Sequence, residues 1–246
     1  MKKLLFLALL IPCALLAKVP NEDDITDKIN DPLSAYYYPN LYIKFQNNGE
    51  FTAEEFHYLY YGFAYSELYQ PLAVNNKLDK VLLLASSLDP QAPSESTLDE
   101  IVISANEALE LNPFSPTLWN LLAYTYGALG DTTREKMAFD RFNHILSTID
   151  SSGDGLKEKS PKHIIMFDHA LDLLTTQGVA YDKAQIISRT VEYVPFSDAH
   201  RDGGNGKKVK GLYFNFERIY WNKPDNVTYK RDRKWQFNNL QPKEYK

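Results

Sequence analysis

Three side chains that could bind a metal ion or transfer protons occupy alternate positions late in the sequence: Asp198, His200 and Asp202. Alternate residues of an extended segment point to the same side, and a neutral imidazole between carboxylates suits zinc. His163 and His169 could join them only if a sheet brought the segments together. The alternative, a solvated loop of ordinary turn residues, fits this spacing better. We therefore predict no catalytic or metal site, and keep the three residues as the metal candidates.

A second group of oxygen-bearing residues resembles the opening of a calcium loop. Asp150, Ser152 and Asp154 alternate, and Gly155 follows where such a loop turns sharply. The twelfth position, which needs a bidentate acid, is Pro161 instead. The pattern favours a turn at the carboxyl end of a helix.

Residues 203–206 (Gly-Gly-Asn-Gly), followed by Lys207 and Lys208, could hold an anion on backbone amides. No helix pattern follows them, which favours a strand connection. The sequence contains no Gly-x-Ser-x-Gly elbow, His-Glu-x-x-His, phosphate loop or dinucleotide fingerprint. We expect no cofactor, and a protein that is not an enzyme is the better reading.

The first 17 residues have the features of a cleaved signal peptide. Lys2 and Lys3 precede an apolar run that ends at Ala17. Cys13, the one cysteine, lies in this run and would leave with it, and Pro12 before it does not fit a lipidation site. No later stretch is apolar enough to span a bilayer. The predicted location is periplasmic or secreted.

The aromatic residues are concentrated near the amino terminus, with 13 of the 33 lying between Tyr36 and Tyr69. Thr52 and Glu55 form a capping-box pattern at the start of a helix that reaches about Tyr69, before Pro71. Its rings fall on most sides, which favours a buried core helix. The alternative is a platform of tyrosines that binds a sugar.

Further helices are predicted over 77–87, 97–111 and 132–149. Another is predicted to begin at Pro116, after Ser115 as its cap, and to end before a break at Gly130 and Asp131. Between 97 and 149 the pattern resembles one and a half tetratricopeptide repeats, with Asn112-Pro113 at the junction and Trp119 at a repeat-like position. After residue 149 the sequence pattern changes. Short strands are predicted over 163–167, 184–196 and 210–221, with a helix over 169–176. The expected fold class is α+β, with tetratricopeptide-like helical hairpins followed by a smaller mixed β-sheet part. The expected segments are a signal peptide (1–17), an extended lead-in (18–40), a helical part (41–149), a sheet part (150–221) and a basic aromatic tail (222–246).

Charge is divided unevenly along the chain. Residues 18–206 carry a net charge of −14, and residues 207–246 carry +7. A basic aromatic tail is also found in proteins that bind single-stranded nucleic acid, but export argues against that partner. The tail is predicted to dock on the acidic body, and the alternative is an external anionic surface.

Several of these stretches resemble a family of exported bacterial proteins known as domain of unknown function 4919. They are Tyr36–Asn40, Phe56–Tyr69, Ala108–Pro113, Ser152–Gly155 with His163, and Gly211–Phe216. The resemblance spans about 31–216 and implies export and a shared fold, but no reaction.

The predicted function is a non-enzymatic periplasmic protein that binds a protein or peptide partner, since paired helices form concave surfaces. One alternative is a metal-assisted hydrolase that uses Asp198, His200 and Asp202. The other is a carbohydrate-binding module that uses the amino-terminal tyrosines.

Overall fold

A computed structural model of the protein describes residues 18–89, 92–201 and 208–220. These residues form eight α-helices, four β-strands and one 3₁₀ helix, which confirms the α+β class. The helices are α1 (Glu22–Asn30), α2 (Tyr38–Gln46), α3 (Ala53–Phe63), α4 (Asn76–Ser86), α5 (Glu95–Leu109), α6 (Pro116–Ala128), α7 (Thr132–Asp150) and α8 (Asp168–Thr176). The strands are β1 (Lys162–His163), β2 (Gln185–Ile186), β3 (Val191–Arg201) and β4 (Lys208–Asn215), and the 3₁₀ helix is Glu217–Tyr220.

The segment that was predicted to be an extended lead-in, 18–40, contains a helix, so that prediction is wrong. Asn21 caps α1 by accepting a hydrogen bond from the Asp24 amide at 3.0 Å. The acidic residues of its first turn stabilise the helix, because the amino end of a helix carries a partial positive charge. Ile25 and Ile29, one turn apart, are both buried against α3. The high polarity of the segment hid this narrow apolar face.

Helix α3 begins with the predicted capping box. Thr52 accepts a hydrogen bond from the Glu55 amide at 3.1 Å, and the Glu55 carboxylate accepts one from the Thr52 amide at 2.8 Å. The helix ends at Phe63, earlier than expected, and turns continue the chain as far as Tyr69. Helices α1, α2 and α7 pack around α3, and every residue of it from Phe56 onward is buried.

Helices α4 to α7 follow one another as neighbours, and each packs against the next. Ser115 caps α6 and Pro116 is the first residue of the helix, as the repeat-like pattern predicted. Gly130, with a φ of +77°, makes the break before α7. This arrangement is compatible with tetratricopeptide-like pairs.

The sheet has the strand order β1-β4-β3-β2. Strand β1 is parallel to β4, while β4 with β3 and β3 with β2 are antiparallel. The predicted strand over 163–167 is only two residues long, because Ile164, Ile165 and Met166 turn into the core. The predicted strand over 184–196 is divided into β2 and β3 by a turn in which the Ile187 amide donates to the Val191 carbonyl at 2.9 Å.

One hydrophobic core joins the helices to the sheet. It extends from Ile25 in α1 to Ile219 in the 3₁₀ helix, and Phe214 of β4 and Phe114 before α6 are fully buried in it. The ends of α3 and α7 and the strand β1 are therefore held by the same packed interior.

Candidate functional site

A cleft of about 890 Å³ opens where the first turn of α3 meets the carboxyl end of α7. The loop after α7 and the strand β1 close its other side. Its walls are largely apolar and carry three carboxylates, two ammonium groups and one imidazole: Glu54, Asp150, Asp154, Lys18, Lys162 and His57. This size and mixture are typical of sites that bind small ligands or short chain segments. We refer to it as the His57 cleft.

The ammonium of Lys162 forms one wall of the cleft. It donates to the carboxylate and to the main-chain carbonyl of Asp150, and to the carbonyl of Gly153, at 2.9 Å each. The Lys162 side chain is only 7% exposed. A side chain at Gly153 would place its Cβ 2.1 Å from the carbonyl oxygen of Pro161, so the loop can close only over glycine.

The resemblance to a calcium loop has a physical explanation. The segment is the turn that follows α7, as the sequence predicted, and Gly155 adopts a φ of +68° there. Ser152 donates to the Ile149 carbonyl at 2.6 Å, and Asp154 accepts from the Ser160 hydroxyl at 2.6 Å. The Ser152 hydroxyl and one carboxylate oxygen each of Asp150 and Asp154 are thus used within the protein, and Lys162 supplies the positive charge.

The opposite rim of the cleft is formed by Lys18, the first described residue. Its backbone amide donates to the carbonyl of Ser151, the residue that caps α7, at 2.7 Å. Its ammonium donates to Glu54 at 3.2 Å and lies 4.9 Å from the ring centroid of Tyr58. A backbone N–H and a lysine side chain are therefore both bound at this rim.

His57 lies in the wall between these two rims. Its ring is 3% exposed and makes no hydrogen bond to any described residue. The ring lines the cleft, and neither ring nitrogen belongs to the fully enclosed polar atoms that lack a partner. Burial, with the positive charges of Lys18 and Arg218, lowers the pKa of His57 to about 3. At neutral pH the ring is uncharged and offers one donor and one acceptor.

A buried ion pair lies behind this wall. Arg218, which is 2% exposed, is paired with Glu22, whose second carboxylate oxygen accepts a hydrogen bond from Tyr65. The Arg218 guanidinium lies 4.9 Å from the ring centroid of Tyr61. The Tyr61 hydroxyl donates to the His163 carbonyl at 3.0 Å. The pair joins α1 and α3 to the segment after β4.

Burial and the charge of Arg218 also lower the pKa of His163 to about 3. Two uncharged imidazoles therefore flank the buried guanidinium. A base with so low a pKa accepts a proton poorly near neutral pH. This property argues against either ring as a general base.

The family model for a domain of unknown function (DUF4919) matches residues 23–224, which is most of the chain. The chain belongs to this family. The match includes every element that forms the His57 cleft except the rim residue Lys18. Searches of the curated proteins and of the solved structures give no match. No helix in the described ranges is long and apolar enough to cross a membrane.

Asp198 and the backbone of His200 lie at the far end of β3 from the cleft. Asp198 is exposed on β3, and the backbone of His200 pairs with Val209. Asp202 lies outside the described residues, as do residues 203–206. His163 pairs with Asn215, six residues along β4 from Val209, or about 20 Å away. Within 18–89, 92–201 and 208–220, no three His, Cys, Asp or Glu residues are grouped so that they could hold a metal ion.

The other residues singled out from the sequence belong to the core. His169 is fully buried, and its Nδ1 lies 2.7 Å from the Tyr60 hydroxyl. The rings of α3 and the turn after it are at most 5% exposed, including Tyr58, Tyr61 and Tyr69. They pack against other rings and are not available to stack on a sugar. The basic tail, 222–246, lies outside the described residues.

The sequence reasoning missed the residues that form the cleft. His57 lies among the seven aromatic residues of the predicted helix that reaches Tyr69, which was expected to be buried in the core. No feature of the neighbouring sequence distinguishes a residue that lines a cavity from one in the interior. Lys162 directly follows the calcium-like pattern and its proline, and this position was a usable signal. The link between Glu22 and Arg218 spans nearly the whole chain and has no local signature.

Proposed function

We propose that the protein is an exported, non-enzymatic binding protein of the periplasm, and that the His57 cleft holds a segment of a peptide or protein partner. The observation that carries this proposal is the cleft itself, a cavity of about 890 Å³ built on the ends of two packed helices. Sites on rigid helices bind a defined shape with little loss of conformational freedom.

The charges around the cleft support binding over catalysis. Lys18 is paired with Glu54, and Lys162 with Asp150, so neither ammonium is held free for a reaction. The pKa of His57 is far below the range in which a histidine transfers protons efficiently. These features suit a surface that recognises a chain by hydrogen bonds and charge.

Export is supported by the amino-terminal sequence, with its two lysines, its apolar run and Ala17. Cleavage after Ala17 would make Lys18 the first residue, and this residue is already bound to Ser151 through its backbone. A peptide bound in the cleft would then lie beside the amino terminus of the mature chain.

A photo-crosslinking amino acid placed at Ser147, an exposed cleft residue, tests the proposal. The matched control carries the same group at Asp99, which is exposed on α5 and away from the cleft. In intact cells, we expect a discrete adduct from position 147 and none of the same mass from position 99. A pulldown from periplasmic extract should return the same partner. If position 147 gives no adduct and the pulldown returns only the protein itself, the proposal is wrong.

A further inference from the structure

The rim of the His57 cleft shows how a lysine binds there, because Lys18 occupies this position. Its amide donates to Ser151 at the end of α7, and its ammonium contacts the Glu54 carboxylate and the Tyr58 ring. The three contacts combine a main-chain hydrogen bond, a charge-assisted hydrogen bond and a cation–π contact. This part of the cleft is complementary to a basic residue.

The remainder of the cleft carries two more carboxylates with free capacity. Asp150 uses its Oδ1 for Lys162, and Asp154 uses its Oδ1 for Ser160 and the Leu156 amide. No described residue donates a hydrogen bond to the Oδ2 of either side chain, and both residues are exposed. Each of these two cleft residues therefore has a carboxylate oxygen that no described residue occupies.

The electrostatic balance of the cleft favours a cation. It contains three carboxylates and two ammonium groups, and the ring of His57 is uncharged at neutral pH. The carboxyl end of α7, a helix of 19 residues, adds a further partial negative charge. Although partial burial opposes ionisation of Asp154, the hydrogen bonds from Ser160 and Leu156 lower its pKa, so it stays charged.

The unpartnered imidazole of His57 is independent evidence for a ligand. A polar group that is 97% buried ordinarily has a hydrogen-bond partner, and each exception needs an explanation. The His57 nitrogens find no partner among the described residues, and the ring lines the cleft. The uncharged ring offers one donor and one acceptor, and the C=O and N–H groups of a peptide backbone can pair with such groups.

We propose that the His57 cleft binds an extended peptide through a lysine or arginine side chain. The cationic head lies on Asp150 and Asp154, and His57 hydrogen-bonds the peptide backbone beside it. This inference rests on the proposed binding function and names the chemistry of the ligand. The occupant is a basic peptide segment and not a free metal cation, because Lys162 already fills the position where a metal ion would bind.

Calorimetric titration of the mature chain with two matched peptides tests this inference. Both are hexapeptides with acetylated and amidated ends, and they differ only in a central lysine or norleucine, which removes the charge and keeps the apolar stem. We expect the lysine peptide to bind at least fivefold more tightly at low salt. The preference should shrink as NaCl is raised to about 0.5 M, since partly exposed charges are screened.

Asp154→Asn removes one charge and keeps the Oδ1 that accepts from Ser160. It should weaken binding of the lysine peptide about threefold, the range of a single exposed ion pair, and leave the norleucine peptide unaffected. Asp99→Asn, an exposed acid on α5, is the matched control and should change neither affinity. Thermal unfolding of both variants identifies any loss of folding.

Equal affinities for the two peptides, or no binding of the lysine peptide at millimolar concentration, would overturn the inference. So would a salt-independent preference in the wild-type protein, which needs no variant. Each of these outcomes leaves the proposed function standing if position 147 still forms a discrete adduct, so the two failures are distinguishable.

Discussion

The ammonium of Lys162 lies 2.9 Å from a carboxylate oxygen of Asp150 and 2.9 Å from the main-chain carbonyl oxygen of the same residue. One side chain thus neutralises the acid and also satisfies the carboxyl end of α7, where the helix dipole is negative. The third bond, to the Gly153 carbonyl, fixes the loop that forms one wall of the His57 cleft. The shape of the cleft depends on this internal cation.

Replacing Lys162 with methionine should lower the free energy of unfolding by about 1–3 kcal/mol. The buried Gly153 carbonyl loses its donor, while the Asp150 carboxylate, which is 54% exposed, loses a cation that water can largely replace. Chemical denaturation in urea measures the change. Lys159→Met is the matched control, since Lys159 is exposed in the same loop, and it should change stability by less than about 0.5 kcal/mol. Equal effects of the two substitutions would show that the three contacts of Lys162 contribute nothing specific.

Local sequence signals predicted the elements that depend on neighbouring residues. The capping box of Thr52 and Glu55 needs residues only three positions apart, and the start of α6 at Ser115 and Pro116 is equally local. Helix α1 was missed because its apolar face is narrow and its composition is acidic. Tertiary packing, and not propensity, decides whether so short a helix forms.

The cleft could not be predicted in the same way, because its parts meet through long-range contacts. Lys162 reaches the sheet by pairing with Phe214, and Lys18 meets Ser151 across the whole helical part. A histidine on an aromatic helix gives no sign of whether it faces the interior or a cavity. The position of His57 follows from how α7 and the loop after it pack against α3.

The pair of Glu22 and Arg218 gives a second stability prediction. Arg218→Met leaves the Glu22 carboxylate, which is 14% exposed, without its cation, and should lower the free energy of unfolding by about 3–5 kcal/mol. The pair of Lys80 and Glu100 is the comparison, with its atoms 2.9 Å apart but both side chains about half exposed. Glu100→Gln should therefore lower the free energy of unfolding by less than about 1 kcal/mol. Comparable losses in urea denaturation would contradict the structural role of the buried pair.

Acid should destabilise the protein in part through His57. The pKa of its ring is about 3 in the folded protein, against an ordinary value of 6.5. Between these two values the unfolded chain binds a proton that the folded protein does not, so stability falls as the pH is lowered from about 6.5 toward 3. The same sign applies to His163, whose pKa is also about 3.

His57→Gln removes this titrating group, and the loss of unfolding free energy between pH 7 and pH 4 should become smaller by about 1–3 kcal/mol. Asp172 acts in the opposite direction, since burial raises the pKa of its carboxyl to about 6. The folded state holds the Asp172 proton more tightly than the unfolded state does. The contribution of Asp172 to stability therefore falls as the pH rises from about 4 to 6. Parallel pH profiles for the wild-type and His57→Gln proteins would refute the assignment.

Signal cleavage after Ala17 would place a new ammonium group at the carboxyl end of α7, where the backbone nitrogen of Lys18 lies 2.7 Å from the Ser151 carbonyl. We expect the processed chain to be more stable than the same chain acetylated at Lys18, by about 0.3–1 kcal/mol at low salt and pH 6. The acetylated nitrogen keeps its N–H, so the comparison isolates the charge from the hydrogen bond. Mass spectrometry of protein recovered from the periplasm tests export and the cleavage site together. Urea denaturation of the two forms measures the difference. Because salt screens the attraction between a charge and a helix terminus, the stability difference should disappear in 1 M NaCl. A difference that persists there would come from contacts of the acetyl group instead.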